Sequence, residues 1–471
     1  MEDIVLFNSY VFCLVFLPIV LIVWWSLPSK NTRLAFLTMA SYVFYGWWDV
    51  RFVPLMILST SADYIAGRMI HETEDQRRRT LILIVLLTIN LGILAVFKYW
   101  DFIASNLNAA AHLAGHRPFV ALFHLVLPVG ISFYTFNSIS YTIDIYRRRV
   151  EPARNFLEFA TFVALFPHLV AGPIVRYSDL HEQFERVHRR LHTGEASVGI
   201  WFFVLGMAKK VLVADHIAAT FVQPLFVAPD ALKAFSAWLA ALAYTLQIYF
   251  DFSGYSDMAV GLALLLGFHF PQNFNSPYKA LNISDFWRRW HMSLSFWLRD
   301  YLFIPLGGSR GTKLQTARNL LITMFLGGLW HGASWTFVIW GLFHGAGLAS
   351  HAIFKNAGLA IRRRWLATAI TFLFVVLGWV LFRTDSIQSA GHVFAAMAGL
   401  RGIESVAAIR VLAMNKAMLL MLVGMVLVFA APNTWELHYP RSRKWAFVLA
   451  AVMVLCVLDF ATPSPFLYFQ F

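Results

Sequence analysis

Asn282-Ile-Ser-Asp-Phe-Trp-Arg-Arg-Trp-His-Met-Ser-Leu-Ser-Phe-Trp-Leu-Arg-Asp-Tyr-Leu-Phe-Ile-Pro-Leu-Gly-Gly-Ser-Arg310 interleaves arginines with aromatic rings. It is too polar to span lipid and too apolar for a solvated loop. On a helix, Phe286, Trp290, Ser293 and Trp297 share one side, with Trp287, His291, Leu294 and Leu298 on a neighbouring stripe. Arg288, Arg289 and Arg299 bracket these rings, Ser284 with Asp285 can cap the start, and Pro305 with Gly307-Gly308 ends the run. Taken alone the stretch reads as an amphipathic helix lying at an interface, rings in the headgroups and arginines outside. Its surroundings decide what it belongs to.

Those surroundings are lipid-soluble. Apolar residues make up 59% of the 471-residue chain and charged residues 13%, with 17 Trp and 44 Phe. The charged share is about half that of an ordinary soluble protein, so no water-soluble fold of this size could hide the apolar surface. The apolar runs are continuous rather than alternating, which excludes a transmembrane barrel. Candidate crossings, each needing about 20 apolar residues for ~30 Å of hydrocarbon, lie near 10–28, 34–48, 52–70, 80–100, 119–145, 197–217, 232–250, 254–271, 334–355, 366–383, 416–431 and 445–460. The chain reads as a single all-α polytopic unit over 1–471, with N-terminal helices in 1–150, a central core in 151–355 and C-terminal helices in 356–471.

A net charge of +13 would suggest nucleic acid in a soluble protein. Here the basic residues sort by loop instead. Lys30 and Arg33, then Arg68 and Arg77 to Arg79, then Arg147 to Arg149 and Arg154 fall in alternate links. That pattern puts those links in the cytoplasm against anionic headgroups, and the N-terminus outside. Cys13 and Cys456 both lie in apolar runs, which argues against a disulfide framework, a zinc site or a thiol nucleophile. The acidic start Met1-Glu2-Asp3 lacks the basic region of a cleaved signal. Residues 155–174 are apolar yet lead into Arg176, Arg186, Arg189 and Arg190, with Pro167, Gly172 and Pro173 breaking the run. A segment that enters and returns satisfies the charge rule, provided protein or water covers its free backbone groups. It implies a recess opening to the cytoplasm. Arg362 to Arg364 and Arg441, Arg443 and Lys444 can be cytoplasmic too, which leaves 461–471 outside.

Gly327-Gly-Leu-Trp-His331-Gly332 follows Lys313 and Arg318 by a largely apolar run. At 1.5 Å per residue, His331 lies about 20 Å along a helix from Arg318, inside the membrane. An imidazole there is either hydrogen-bonded between helices or part of a functional site; His344 suits the first role. Burial keeps an imidazole, whose unperturbed pKa is about 6.5, in its neutral basic form. Such a base can take a proton from an alcohol attacking an activated acyl group, with a nearby donor stabilising the oxyanion. The chain has no Gly-x-Ser-x-Gly elbow, no Walker loop and no His-Glu-x-x-His.

Asp285 to Tyr301, Ile304-Pro-Leu-Gly-Gly308 and Gly327 to Gly332 resemble the membrane-bound O-acyltransferase (MBOAT) family, in particular its bacterial alginate O-acetyltransferase-like branch. Phe166 to Pro173, Tyr249-Phe-Asp-Phe-Ser-Gly-Tyr-Ser-Asp257 and Pro271-Gln-Asn-Phe-Asn-Ser-Pro-Tyr278 add to the likeness. Phe7-Asn-Ser and the closing Phe466-Leu-Tyr-Phe-Gln-Phe471 are closer to that branch than to the teichoic-acid D-alanyl transferases. The resemblance implies about 11–13 membrane helices, of the length set by the bilayer, with re-entrant and interfacial helices around a central funnel or tunnel. It implies that His331 is the catalytic histidine and His291 the second motif histidine, which is asparagine in many eukaryotic members. It further implies no permanently bound cofactor or metal, acetyl-CoA as cytoplasmic donor, and location in a bacterial inner membrane. The implied acceptor is an extracytoplasmic hydroxyl on an SGNH-hydrolase-like partner, or on a carrier feeding it, that serves exopolysaccharide O-acetylation. Arg288, Arg289, Lys209 and Lys210 are then candidates to meet CoA phosphates, although Lys209 and Lys210 also suit snorkelling at a helix end. Asp251 and Asp257 can orient a histidine or pair with an arginine. D-alanyl transfer on the same fold, or a proton-coupled transporter or flippase using the intramembrane His and Asp residues, are the competing readings; no inverted repeat supports the last.

Overall fold

The structure is a computed structural model that describes residues 6–187, 191–359, 361–437, 439, 442–460 and 467. Met1 to Asp3, Arg189, Arg190, Arg441 and nearly all of the closing stretch 461–471 lie outside the described residues. Among the described residues the regular elements are all helical, as expected. The chain divides into two compact units, Met1–Phe203 with Ala259–Pro271, and Val204–Met258 with Gln272–Phe471.

In the first unit, Leu17–Ser26, Lys30–Asp49 and Phe52–Glu72 fall where the apolar runs predict helices, and Gln76–Leu94 continues through a π turn to Leu113. Local caps fix their starts. Ser29 accepts the Thr32 N–H, Asp75 that of Arg77 and Asn155 that of Glu158. One expected span shortens. Of residues 119–145, only those from Ile131 onward are helical, in Ile131–Tyr146. Pro128 and a left-handed Gly130 (φ 74°) hold the chain open before it. Four backbone donors of the preceding segment go to side chains of the Trp100–Leu113 helix. Asn108 takes the N–H groups of Phe119 and Val120, and Asp101 those of Phe123 and His124. Side-chain acceptors thus replace a helical ladder.

The run at 155–174 breaks where its prolines predict. Phe156–Ala164 and Phe166–Leu169 are separate helices, each too short to cross a bilayer. The residues from Phe159 to Val175 are buried, and the Phe166 N–H freed by the break is taken by the Ser41 hydroxyl at 3.1 Å. His168 is fully buried, its Nε2 3.0 Å from the Phe162 carbonyl and its Nδ1 3.3 Å from the Asn137 amide.

The two expected spans 232–250 and 254–271 are one helix, Ala234–Leu265, whose last turns belong to the first unit. Gly254 does not break it, because it serves a close approach rather than a turn. A Cβ there would come within 2.7 Å of the Gly206 carbonyl. Beyond it the second unit contains Lys313–His331, which no expected crossing covers, and Trp335–Asn356, Arg364–Arg383, Lys416–Ala430 and Arg443–Asp459, close to the expected runs. Among the described residues four helices are long and apolar enough to cross a membrane: Gln76–Leu113, Thr193–Val227, Trp335–Lys355 and Arg364–Arg383. Val406–Ala413 and Lys416–Ala430, bent by 69°, make a fifth candidate span.

Candidate active site

The stretch 282–310 is not one helix. Ile283–Trp287 and Met292–Leu298 are separated by a turn, and Arg299–Phe303 winds as a π turn. The cap is Asn282, which accepts the Asp285 N–H, and not Ser284 with Asp285. His291 stands at the break with φ 43° and ψ 55°. A left-handed non-glycine residue costs roughly 1–2 kcal/mol, so something outside the turn must hold it. The Met292 N–H is drawn to the Asn273 carbonyl at 2.9 Å, and the Asn273 Oδ1 accepts the Ser293 N–H and hydroxyl at 3.2 and 2.9 Å. The Asn273 amide in turn donates to the Ser256 hydroxyl. The break also undoes the single-helix face read from the sequence. Phe286, Trp290 and Trp297 are buried in the second unit rather than set in a headgroup layer.

His331 ends the Lys313–His331 helix. Thr312 and Gln315 form a reciprocal cap at its start, and Ser334 caps the following helix at Phe337. The two helices meet backbone to backbone at Gly328 and Gly341. A Cβ on Gly328 would lie 3.0 Å from the Gly341 Cα and closer still to the Phe337 carbonyl. Small residues permit this approach between membrane helices. The contact sits one turn before His331, whose ring lies edge-on to Trp330, Trp340 and Phe382 at 4.9, 5.0 and 5.0 Å.

Trp330 links the two motif histidines, since the His291 ring also packs against it at 6.0 Å and edge-on to Phe252 at 4.7 Å. Exposure separates the histidines. His331 keeps 5% of its surface accessible, whereas His291 and His344 keep none. His344 is a packing residue: its Nδ1 accepts the Trp287 indole N–H, and its ring lies among Phe286, Trp340 and Phe374.

The four cationic candidates divide. Arg288 is exposed and lines a basin of about 470 Å³ together with Lys313, Lys355, His351, Ser309 and Thr316. An apolar slot of about 270 Å³ shares Ser284, Arg288, Phe303, Leu320 and Leu348 with the basin and continues to Trp287, Thr323 and Met324. Neither His291 nor His331 lines either cavity. Trp287 packs against Trp340, which packs against His331. The other three cations are engaged elsewhere. Arg289 pairs with Asp285 at 2.9 Å. Lys210, buried, contacts Asp251 and Asp215 at 2.6 and 2.7 Å. Lys209 contacts Asp257 and the Thr434 hydroxyl at 2.6 Å each. Asp251 and Asp257 lie one turn before and after Gly254, so the two ion pairs flank the Gly206–Gly254 contact. Asp251 and Asp257 therefore pair with lysines rather than with the arginine or histidine expected from the sequence, because Lys209 and Lys210 face them across the Gly206–Gly254 contact.

Sequence reasoning missed Lys313, Thr316, His351 and Lys355 as one cluster. His351 and Lys355 stand four apart on one helix face, a signal that was available. Asn273 belongs to a stretch already singled out, but its partners are remote in sequence.

A family profile described as the membrane-bound O-acyltransferase family matches residues 148–381. A probable alginate O-acetylase of Azotobacter vinelandii is 47% identical over 83% of this chain and 77% of its own length. The peptidoglycan O-acetyltransferase of Helicobacter pylori is 36% identical over 99% and 98% of the two chains. The teichoic acid D-alanyltransferase of Bacillus subtilis is 30% identical over 60% and 73%. With its helical membrane-spanning architecture and these relatives, the chain belongs to the membrane-bound O-acyltransferase family and is a multi-pass membrane acyltransferase.

Proposed function

We propose that the chain moves an acetyl group from acetyl-CoA on the cytoplasmic side of a bacterial inner membrane to an extracytoplasmic hydroxyl. The hydroxyl belongs to an SGNH-hydrolase-like partner, or to a carrier feeding it, in exopolysaccharide O-acetylation. One observation carries this reading. The Lys313–His331 helix contributes Lys313 and Thr316 to a cationic basin near one end and carries His331, a nearly buried residue within an aromatic cage, at the other.

In this reading Arg288, Lys313 and Lys355 receive the phosphates of CoA, and the apolar slot takes the pantetheine arm. His331 acts as general base, removing the proton of the attacking hydroxyl as its oxygen bonds to the thioester carbonyl carbon. Collapse of the tetrahedral species breaks the C–S bond, and the imidazolium returns its proton to the departing thiolate. The aromatic cage excludes water that would otherwise hydrolyse the thioester. His291 supports the site through Trp330. Lys209, Lys210 and Arg289 hold the helices in place through their carboxylate pairs. The acetyl assignment over D-alanyl transfer rests on the greater identity and coverage of the relatives named for O-acetyl transfer.

The test incubates the purified chain, in lipid nanodiscs with the partner, with acetyl-CoA labelled in the acetyl group. Release of CoA with label on the partner is expected. Label transferred only from a D-alanyl carrier protein would replace the donor. Solute flux without any acyl donor would overturn the transferase reading of the site.

A further inference from the structure

Phe252 and Ser256 stand one turn apart on the Ala234–Leu265 helix and so share a face. The first receives the His291 ring, and the second receives the Asn273 amide. Asn273 is buried, and its side chain reaches in two directions. Its Oδ1 accepts both donors of Ser293, two residues past His291, while its Nδ2 donates to Ser256. Its carbonyl also holds the Met292 N–H. A second backbone bond, from the Asn275 N–H to the Arg289 carbonyl, ties the same segment to the other side of the turn.

We infer that Asn273 is a positioning residue for acyl transfer, latching the left-handed His291 turn to the helix face against which the His291 ring packs. The inference rests on the proposed role of His291 in supporting the site. Asparagine suits the latch because one amide supplies acceptor and donor together. Aspartate keeps the acceptor for Ser293 and loses the N–H donor to Ser256. Alanine loses both and leaves the Ser293 N–H buried without its acceptor. Released from the latch, His291 relaxes toward an ordinary φ, and its ring leaves the shared contact with Trp330.

The experiment uses the full chain in nanodiscs as wild type, Asn273→Ala, Asn273→Asp, Ser256→Ala, His291→Ala and the Asn273→Ala/His291→Ala double variant. Steady-state rates with acetyl-CoA and its acceptor are measured beside diethyl pyrocarbonate modification of each histidine, mapped by mass spectrometry. Asn273→Ala lowers kcat by about 10- to 100-fold, the range expected from a displacement near 1 Å, while KM for acetyl-CoA stays within about threefold. Asn273→Asp recovers part of that loss. In the His291→Ala background, removing Asn273 causes no further fall, because its effect runs through the missing ring. Modification of His291 speeds up by roughly tenfold in Asn273→Ala, with the equally buried His344 unchanged as internal control. Additive losses in the double variant, or unchanged His291 modification, overturn the inference. If His291→Ala alone turns over like wild type, the proposed role of His291 fails, and the inferred role in catalysis fails with it; the modification rates then still show whether Asn273 holds the ring. Should Asn273→Ala fail to fold, Asn273→Asp and Ser256→Ala carry the same comparison.

Discussion

Substituting Gly328 with alanine tests whether backbone contact between two helices sets the position of His331. The added Cβ would meet the Gly341 Cα and N at 3.0 and 3.1 Å and press closer still on the Phe337 carbonyl. Carbon atoms prefer about 3.5–4.0 Å, so the two helices must separate by roughly 0.5–1 Å at this level. Backbone cannot swing aside as a long side chain does, and overpacking of this kind costs about 1–3 kcal/mol. His331 lies one turn further along the same helix and moves with it. A 1 Å misplacement of a catalytic group can cost about 100-fold in rate. Gly328→Ala and Gly341→Ala are each expected to lower kcat by about 10- to 100-fold, by the same positional argument, and to lower the melting temperature. Gly391→Ala is the control. A Cβ there meets nothing within 4 Å on an exposed helix face, and alanine improves helix propensity by up to about 1 kcal/mol. Initial rates of CoA release and thermal melts of the protein in nanodiscs give both quantities. Wild-type kcat and melting in Gly328→Ala would refute the reasoning.

Three other outcomes follow from separate parts of the structure. Arg288→Ala, Lys313→Ala and Lys355→Ala, in the cationic basin, should raise KM for acetyl-CoA while leaving kcat nearly unchanged, with a weaker salt dependence of binding. Titrations at two ionic strengths check this. Lys210→Met leaves Asp251 and Asp215 facing each other without their shared cation, and breaking such a buried pair costs about 3–5 kcal/mol. Its melt should fall sharply, and adding Asp251→Leu should restore part of the loss. Burial alone raises the Glu404 carboxyl, but bonds from Ser236 and from the Phe235 N–H outweigh it and hold the pKa below the usual glutamate value. The stabilisation is present above the unfolded pKa of about 4.3 and lost as pH falls through the folded value. A Glu404→Gln variant should therefore melt lower than wild type near neutral pH and lose less stability on acidification below about pH 5.

Much of the helical layout was legible because lipid leaves so clear a mark. Runs such as 52–70, 366–383 and 416–431 predict Phe52–Glu72, Arg364–Arg383 and Lys416–Ala430 to within a few residues. Legibility failed where a remote partner overrides a local signal. The apolar pattern is interrupted at 251–253, between the expected spans 232–250 and 254–271, yet one helix runs through because Asp251 is paired with Lys210. Residues 119–127 read as part of a span, but Asp101 and Asn108 take the N–H groups of Phe119, Val120, Phe123 and His124. The aromatic periodicity at 282–298 predicts one helix, and Asn273 withdraws the Met292 N–H that would continue it. His331 stands out by its depth in the membrane and His291 only through the family resemblance, and Trp330 brings both into one aromatic cluster. The adjacent lysines at 209 and 210 read equally as phosphate ligands; only the fold reveals Asp257 and Asp251 beside them.

The general base can be interrogated with a single variant. His331→Ala, reconstituted with labelled acetyl-CoA and acceptor, is predicted to bind donor like wild type and to stay folded, melting lower for the ring lost from its aromatic cage, while acetyl transfer falls by about 100- to 10,000-fold. A folded His331→Ala protein that transfers acetyl groups at the wild-type rate would contradict the account.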